Sequence, residues 1–126
     1  MVIGVGTDIT EIGRIEHSIE RFGDRFLERI FSSGEIAYCR LRQRKSAQSF
    51  AARFAAKEAG AKALGTGISR GIGWQDLEVV RPLGERPTLR LHGRAAERAR
   101  VLGVNHINLS ITHTTDTALA IVIMES

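Results

Sequence analysis

The stretch from Ser46 to Leu64 contains no proline and is dominated by alanine, the residue of highest helix propensity, so it reads as one long helix. At about 100° per residue, Phe50, Phe54, Ala61 and Leu64 form one apolar stripe, with Ala52, Ala55, Ala56, Ala59 and Ala63 on the opposite side. A helix that is apolar on two faces is buried on two faces, which places it at the centre of the fold. Gly60 lowers its propensity by about 1 kcal/mol. Its charges then need a setting. Arg53 and Lys57 stand one turn apart on one edge, and Glu58 and Lys62 one turn apart on the other. Exposed pairs of this kind contribute only about 0.3–0.5 kcal/mol each. With small apolar residues beside them, these charges are expected to line a crevice, where an acid and a base on a rigid element make a candidate site.

The other elements are read in relation to that helix. Val2 to Gly6 is a short β-branched strand that Thr7–Thr10 brings to an end, and Ile12, Ile15, Ile19 and Phe22 then recur at helical spacing. Thr10 is the expected N-cap, which puts Asp8 at a strand-to-helix junction. Arg14, Ser18, Arg21 and Arg25 form a basic stripe if the helix passes Gly23-Asp24; with little acidic compensation, the stripe suits an acidic docking surface. Ser32 and Glu35 have capping-box spacing and open a short helix through Tyr38 and Leu41. The basic run Arg40 to Lys45 reads equally well as a solvated connection and as a phosphate-binding rim.

Gly65 to Gly73 is a glycine-dense loop without the spacing of a Walker or dinucleotide fingerprint. Its glycines would let backbone amides approach a phosphate. Leu77–Val80 and Thr88–Leu91 form an expected hairpin, and a helix from Gly93 to Leu102 ends at Gly103. Ile107, Leu109 and Ile111 alternate with polar residues, and the chain returns through Ala118 to Met124, leaving His113 on the tip of a second hairpin. The pattern is a single α+β domain over residues 1–126. Helices group early, a mainly antiparallel sheet forms mostly late and packs on the long central helix, and the N-terminal strand joins it.

Composition narrows the function classes. A net charge of +4 and a pI near 10.0 point to an anionic partner without saying which. An aromatic share of 6% is too low for a base-stacking surface. The lone Cys39 excludes an internal disulfide and a cysteine-based zinc site. Asp8 near the N-terminal apolar run argues against a signal peptide, and no apolar run approaches the roughly 18 residues of a membrane span, so a soluble, cytoplasmic protein is expected. Asp8 and Glu58, with Lys62 and arginines nearby, have the chemistry of a Mg²⁺ site completed by substrate phosphates, and phosphoryl-type transfer asks the protein mainly for positioning and charge stabilisation. Spacing alone stops at metal-dependent phosphate chemistry, with another Mg²⁺-dependent nucleotide enzyme and a non-enzymatic basic module that binds RNA as the competing readings.

Gly6-Thr7-Asp8-Ile9-Thr10-Glu11 with Arg14-Ile15, and Arg53-Phe54-Ala55-Ala56-Lys57-Glu58-Ala59 through Lys62 and Gly65-Thr66-Gly67, resemble the signature pair of the 4′-phosphopantetheinyl transferases. The short length and Ser110-Ile111-Thr112-His113 resemble its small bacterial branch, the holo-acyl-carrier-protein synthases. The resemblance implies transfer of phosphopantetheine from coenzyme A to a serine of apo-acyl carrier protein, releasing adenosine 3′,5′-bisphosphate. It further implies that Asp8 and Glu58 hold Mg²⁺ (Mn²⁺ being the alternative), that Glu58 is the base and that Lys62 offsets phosphate charge. By the same resemblance Arg53, Gly65, Thr66, Gly67 and His113 contact the nucleotide, and Arg14, Arg21 and Arg25 dock the carrier protein. A homotrimer with sites at its interfaces is implied as well, with no nucleic-acid or membrane partner. Gly84-Glu85-Arg86-Pro87 departs from the family's tighter turn, and no nucleotide contact is assigned to it.

Overall fold

In the computed structural model, which describes residues 1–126, the elements run β1 (Val2–Glu11), α1 (Ile12–Phe22), α2 (Asp24–Ile30), α3 (Ser33–Leu41), α4 (Ser46–Ala63), β2 (Leu77–Val80), β3 (Thr88–Leu91), α5 (Gly93–Leu102), β4 (His106–His113) and β5 (Thr117–Glu125). Short 3-10 turns precede α4 and β2. From Ser49 to Ala63, every residue of α4 is buried except Phe54, Glu58 and Lys62. Those three stand four residues apart, so a single narrow stripe of the helix reaches the surface. The expectation of two buried faces understated the burial. Alanine side chains are small enough for neighbours to close in on nearly the whole circumference.

The three-stranded antiparallel sheet has the order β1-β5-β4, so the N-terminal strand joins the late hairpin as expected. Ala118, Ala120, Val122 and Met124 of β5 are fully buried and supply its inner face. Across β5, Thr10 pairs with Ala118, Asp8 with Ala120 and Gly6 with Val122. Directly opposed residues project to the same side of a sheet, so Asp8 points inward, towards α4. The approach is too close for side chains. A Cβ on Gly6 would lie 1.8 Å from the carbonyl oxygen of Ala59, and one on Gly4 2.0 Å from that of Ala63. The two glycines therefore let the strand backbone rest on the helix backbone. Gly60 has a similar reason. A Cβ there would come within 2.6 Å of Leu89 and 2.8 Å of Leu77, so its propensity cost is accepted for the packing of the β2–β3 hairpin, a separate two-stranded sheet.

Four sequence expectations are corrected. β1 runs through Glu11, so Asp8 lies within a strand and not at a junction. Thr10 is buried and does not cap α1; its hydroxyl donates to Asp8 Oδ2 at 2.7 Å. The amide of Ile12 donates instead to the carbonyl of Asp116 on the β4–β5 connection, at 2.9 Å. Pairing with β5 carries the strand on to Glu11, opposite Thr117, and overrides the local capping signal. Helix α1 stops at Phe22, because Gly23 takes φ of +57°, and Arg25 falls on α2, off the helix that carries Arg14 and Arg21. Lys57 does not line a crevice. It is fully buried and paired with Glu35, whose capping box with Ser32 forms as expected.

Candidate active site

Two clusters of polar side chains flank α4. The first gathers on the β1 side. Lys62 Nζ donates to Asp8 Oδ1 at 3.2 Å and to the carbonyl of Thr7 at 3.0 Å. Lys62 therefore pairs across to the strand and makes no ion pair with Glu58 on its own helix. The Glu58 carboxyl is held above its usual range, first by partial burial and then by the negative charge of Asp8; Lys62 and Arg14 act in the opposite sense. Glu58, Asp8, Lys62 and Arg14 thus share one electrostatic neighbourhood, formed where the exposed stripe of α4 meets the inward face of β1.

The donor set of this cluster is hard oxygen from two carboxylates. No group of three His, Cys, Asp or Glu side chains converges to make an all-protein metal cage. Two carboxylates in one electrostatic neighbourhood, with substrate phosphates left to complete the coordination, fit Mg²⁺. The Gly65-Thr66-Gly67 loop follows directly after α4. Its amides are spent inward: Gly65 N donates to Lys62 O at 2.9 Å, and Thr66 N and Gly67 N to Ala61 O at 3.3 and 3.0 Å. The amides of these three residues therefore close the helix and are not free to cradle a phosphate.

The second cluster surrounds a cavity of about 320 Å³ between α3, α4, the β2–β3 hairpin and β4. Arg42, Arg53, Arg81 and His113 line it with Tyr38 and Pro87, and no carboxylate faces it. Arg53 is 6% exposed and its guanidinium lies 4.1 Å from the centre of the Tyr38 ring. Its Nε–H is buried without an acceptor. Gln48 Nε2 hydrogen-bonds His113 Nδ1. An amide nitrogen can only donate, so Nδ1 accepts and the ring proton sits on Nε2. Unpaired arginines, an orphan donor and an imidazole N–H make this an anion-binding cavity.

Sequence reasoning named Arg53 and His113 but missed Tyr38, Arg81 and Pro87. Arg42 belonged to the ambiguous basic run. In the fold that run divides: Arg42 lines the cavity while Arg40 pairs with Asp24 at the surface, 2.6 Å away. Pro87, at the departure from the family turn, also reaches the cavity. Arg14 and Arg21 lie on α1, and Arg14 is near enough to Glu58 for its charge to favour the ionised carboxylate.

Comparison with known proteins places the chain in a family. The chain is 52% identical over 126 residues to the holo-[acyl-carrier-protein] synthase of Solibacter usitatus, covering 100% of both, and 51% identical to that of Koribacter versatilis, covering 99% of both. Among solved structures it is similar to the holo-[acyl-carrier-protein] synthase of Neisseria meningitidis, with a TM-score of 0.89, 32% identity and 100% coverage of both chains. The Helicobacter pylori holo-[acyl-carrier-protein] synthase, in complex with coenzyme A, superposes with a TM-score of 0.84 at 32% identity, over 96% of this chain and 99% of that one. A family model matches residues 4–122, and the chain belongs to the 4′-phosphopantetheinyl transferase superfamily.

Proposed function

We propose that the protein transfers 4′-phosphopantetheine from coenzyme A to a serine of apo-acyl carrier protein, giving holo-acyl carrier protein and adenosine 3′,5′-bisphosphate. The observation that carries this reading is the division of the polar residues. A carboxylate–lysine cluster open to solvent suits the reacting pyrophosphate, and a separate cationic cavity without carboxylates suits the phosphate-bearing nucleotide. In the reaction the serine oxygen bonds to the phosphorus that carries the pantetheine arm, and the bridging P–O bond to the nucleotide breaks. Glu58, held as an unusually basic carboxylate, accepts the serine proton, directly or through water. Lys62, steadied by Asp8 and Thr7, offsets charge on the leaving phosphate. Arg53 and His113 Nε2–H bind the nucleotide end. Asp8 and Glu58 would hold Mg²⁺, which when bound neutralises charge on the pyrophosphate oxygens. Arg14 and Arg21 dock the acidic carrier, with Arg25 contributing from α2.

A homotrimer belongs to the same proposal. One face of the β1-β5-β4 sheet packs on α4, while the other exposes Val5 (53%), Ile9 (66%) and Leu119 (36%). Within one chain the carboxylate cluster sits by β1 and the cationic cavity by β4, with β5 between them. Copies meeting edge to edge would bring the two halves of a site together. A cytoplasmic location is part of this reading.

The test is the intact mass of apo-acyl carrier protein after incubation with this protein, coenzyme A and Mg²⁺. A gain of one phosphopantetheine unit, absent with EDTA or with Glu58→Gln, is expected. No gain with folded protein and several carriers would overturn the assignment, and full activity of Glu58→Gln would remove Glu58 from its role.

A further inference from the structure

Lys57 lies inside the motif-bearing helix but in neither half of the site. Its side chain and that of Glu35 are both 0% exposed, with Nζ 2.8 Å from Glu35 Oε1. Nζ also donates to the carbonyl of Trp74 at 3.1 Å and to that of Leu77. Glu35 accepts the amide of Ser32 on Oε1 at 2.8 Å and that of Val79 on Oε2 at 2.9 Å. Both buried charges are therefore paired and hydrogen-bonded, as their burial requires. At this one carboxylate α3, α4 and β2 meet.

These three elements, with the hairpin that continues β2, wall the cationic cavity. Each brings its cavity residue a short step from the junction. Tyr38 follows Glu35 by about one helical turn, Arg53 precedes Lys57 by one turn, and Arg81 lies one pleat beyond Val79. Tyr38 carries the guanidinium of Arg53 over its ring. A shift at the junction is thus passed on to all three.

We propose that the Glu35–Lys57 pair is a positioning element: it fixes the spacing of Tyr38, Arg53 and Arg81 and so sets affinity for the anionic nucleotide end of coenzyme A without touching it. This rests on the reading of the cavity given above. Removing both charges of a buried pair together can retain the fold, since neither is left uncompensated, but nothing then fixes the spacing of the three walls in the same way.

The experiment compares wild type with Glu35→Gln/Lys57→Met, at a temperature where both give the same far-UV circular dichroism. The KM for coenzyme A is expected to rise about tenfold, while kcat and the KM for carrier protein change less than about twofold. In an Arg53→Ala background the same double substitution is expected to raise that KM by clearly less than tenfold, because one of the three residues it positions is gone. Lys57→Arg, which keeps the charge but moves it, is the second variant should the first not fold, and a smaller selective rise is expected. An unchanged KM, an equal loss in all three parameters, or a full effect persisting beside Arg53→Ala would overturn the proposal. If Arg53→Ala alone leaves the KM for coenzyme A unchanged, the reading of the cavity itself fails and takes the proposal with it.

Discussion

Lys57 and Lys62 lie on the same helix and both meet a carboxylate, yet their surroundings are opposite. The Lys57–Glu35 pair is sealed, with each charge matched by further hydrogen bonds. At Lys62 the lysine side chain is 50% exposed, and its partner Asp8 also faces Glu58, a second carboxylate that no lysine or arginine pairs with directly. Burial with complete pairing leaves a charge unavailable to any ligand. Exposure with incomplete pairing leaves carboxylate oxygens available to a metal, a phosphate-bearing ligand or a proton. One helix thus divides a sealed lysine from an accessible one by which side of it faces the core.

Substituting the two lysines puts that division to the sharpest test. Lys57→Met should cost about 3–5 kcal/mol of stability by leaving Glu35 buried and unpaired, read as a lower midpoint in urea. Lys62→Met should keep that midpoint near the wild-type value and lower the transfer rate about 10²-fold. If the midpoints fall equally, the contrast between the sealed and the open pair is wrong.

A smaller effect is expected where the open cluster extends onto α1. Arg14→Glu with Arg21→Glu should raise the KM for acyl carrier protein about 10–100-fold and leave coenzyme A binding by calorimetry unchanged. Arg25→Glu, across the break at Gly23, should do less. Equal loss of both substrates would detach the basic face from carrier docking.

The smallest effect probes Glu58 itself. Its raised pKa means that the folded protein holds this proton more tightly than the unfolded chain does. The ionised carboxylate therefore costs stability at neutral pH. The cost fades as pH falls through the raised value towards the ordinary carboxylate range. Glu58→Gln should accordingly raise the melting temperature slightly at pH 7 without added metal, and the gain should vanish near pH 4. A lower melting temperature at pH 7 would show that ionised Glu58 is a net stabiliser.

Much of this was legible in local patterns. The long helix, the Ser32–Glu35 cap, both hairpins and the closure of α5 at Gly103 each rest on residues close in sequence. The errors came where a distant partner decided the outcome. Thr10 has the chemistry of an N-cap, but pairing with Ala118 of β5 keeps it in a strand. Pro87 and Arg81 carried no signal for the cavity, because only the fold of the hairpin brings them to Arg53.

The sequence by itself determined which residues could do the chemistry and that α4 must be central, since helix propensity, apolar periodicity and motif spacing are all local properties. Which lysine would be sealed and which left open was decided by tertiary structure alone. Arg53, Lys57, Glu58 and Lys62 each carry one unit of charge on paper. Their roles follow from what packs against each side of the helix: α3 and β2 close over Lys57, while the bare backbone of β1 at Gly4 and Gly6 lies close enough to bring Asp8 to Lys62. Burial and partner distance set the electrostatics of a charge, and neither exists until the chain has folded.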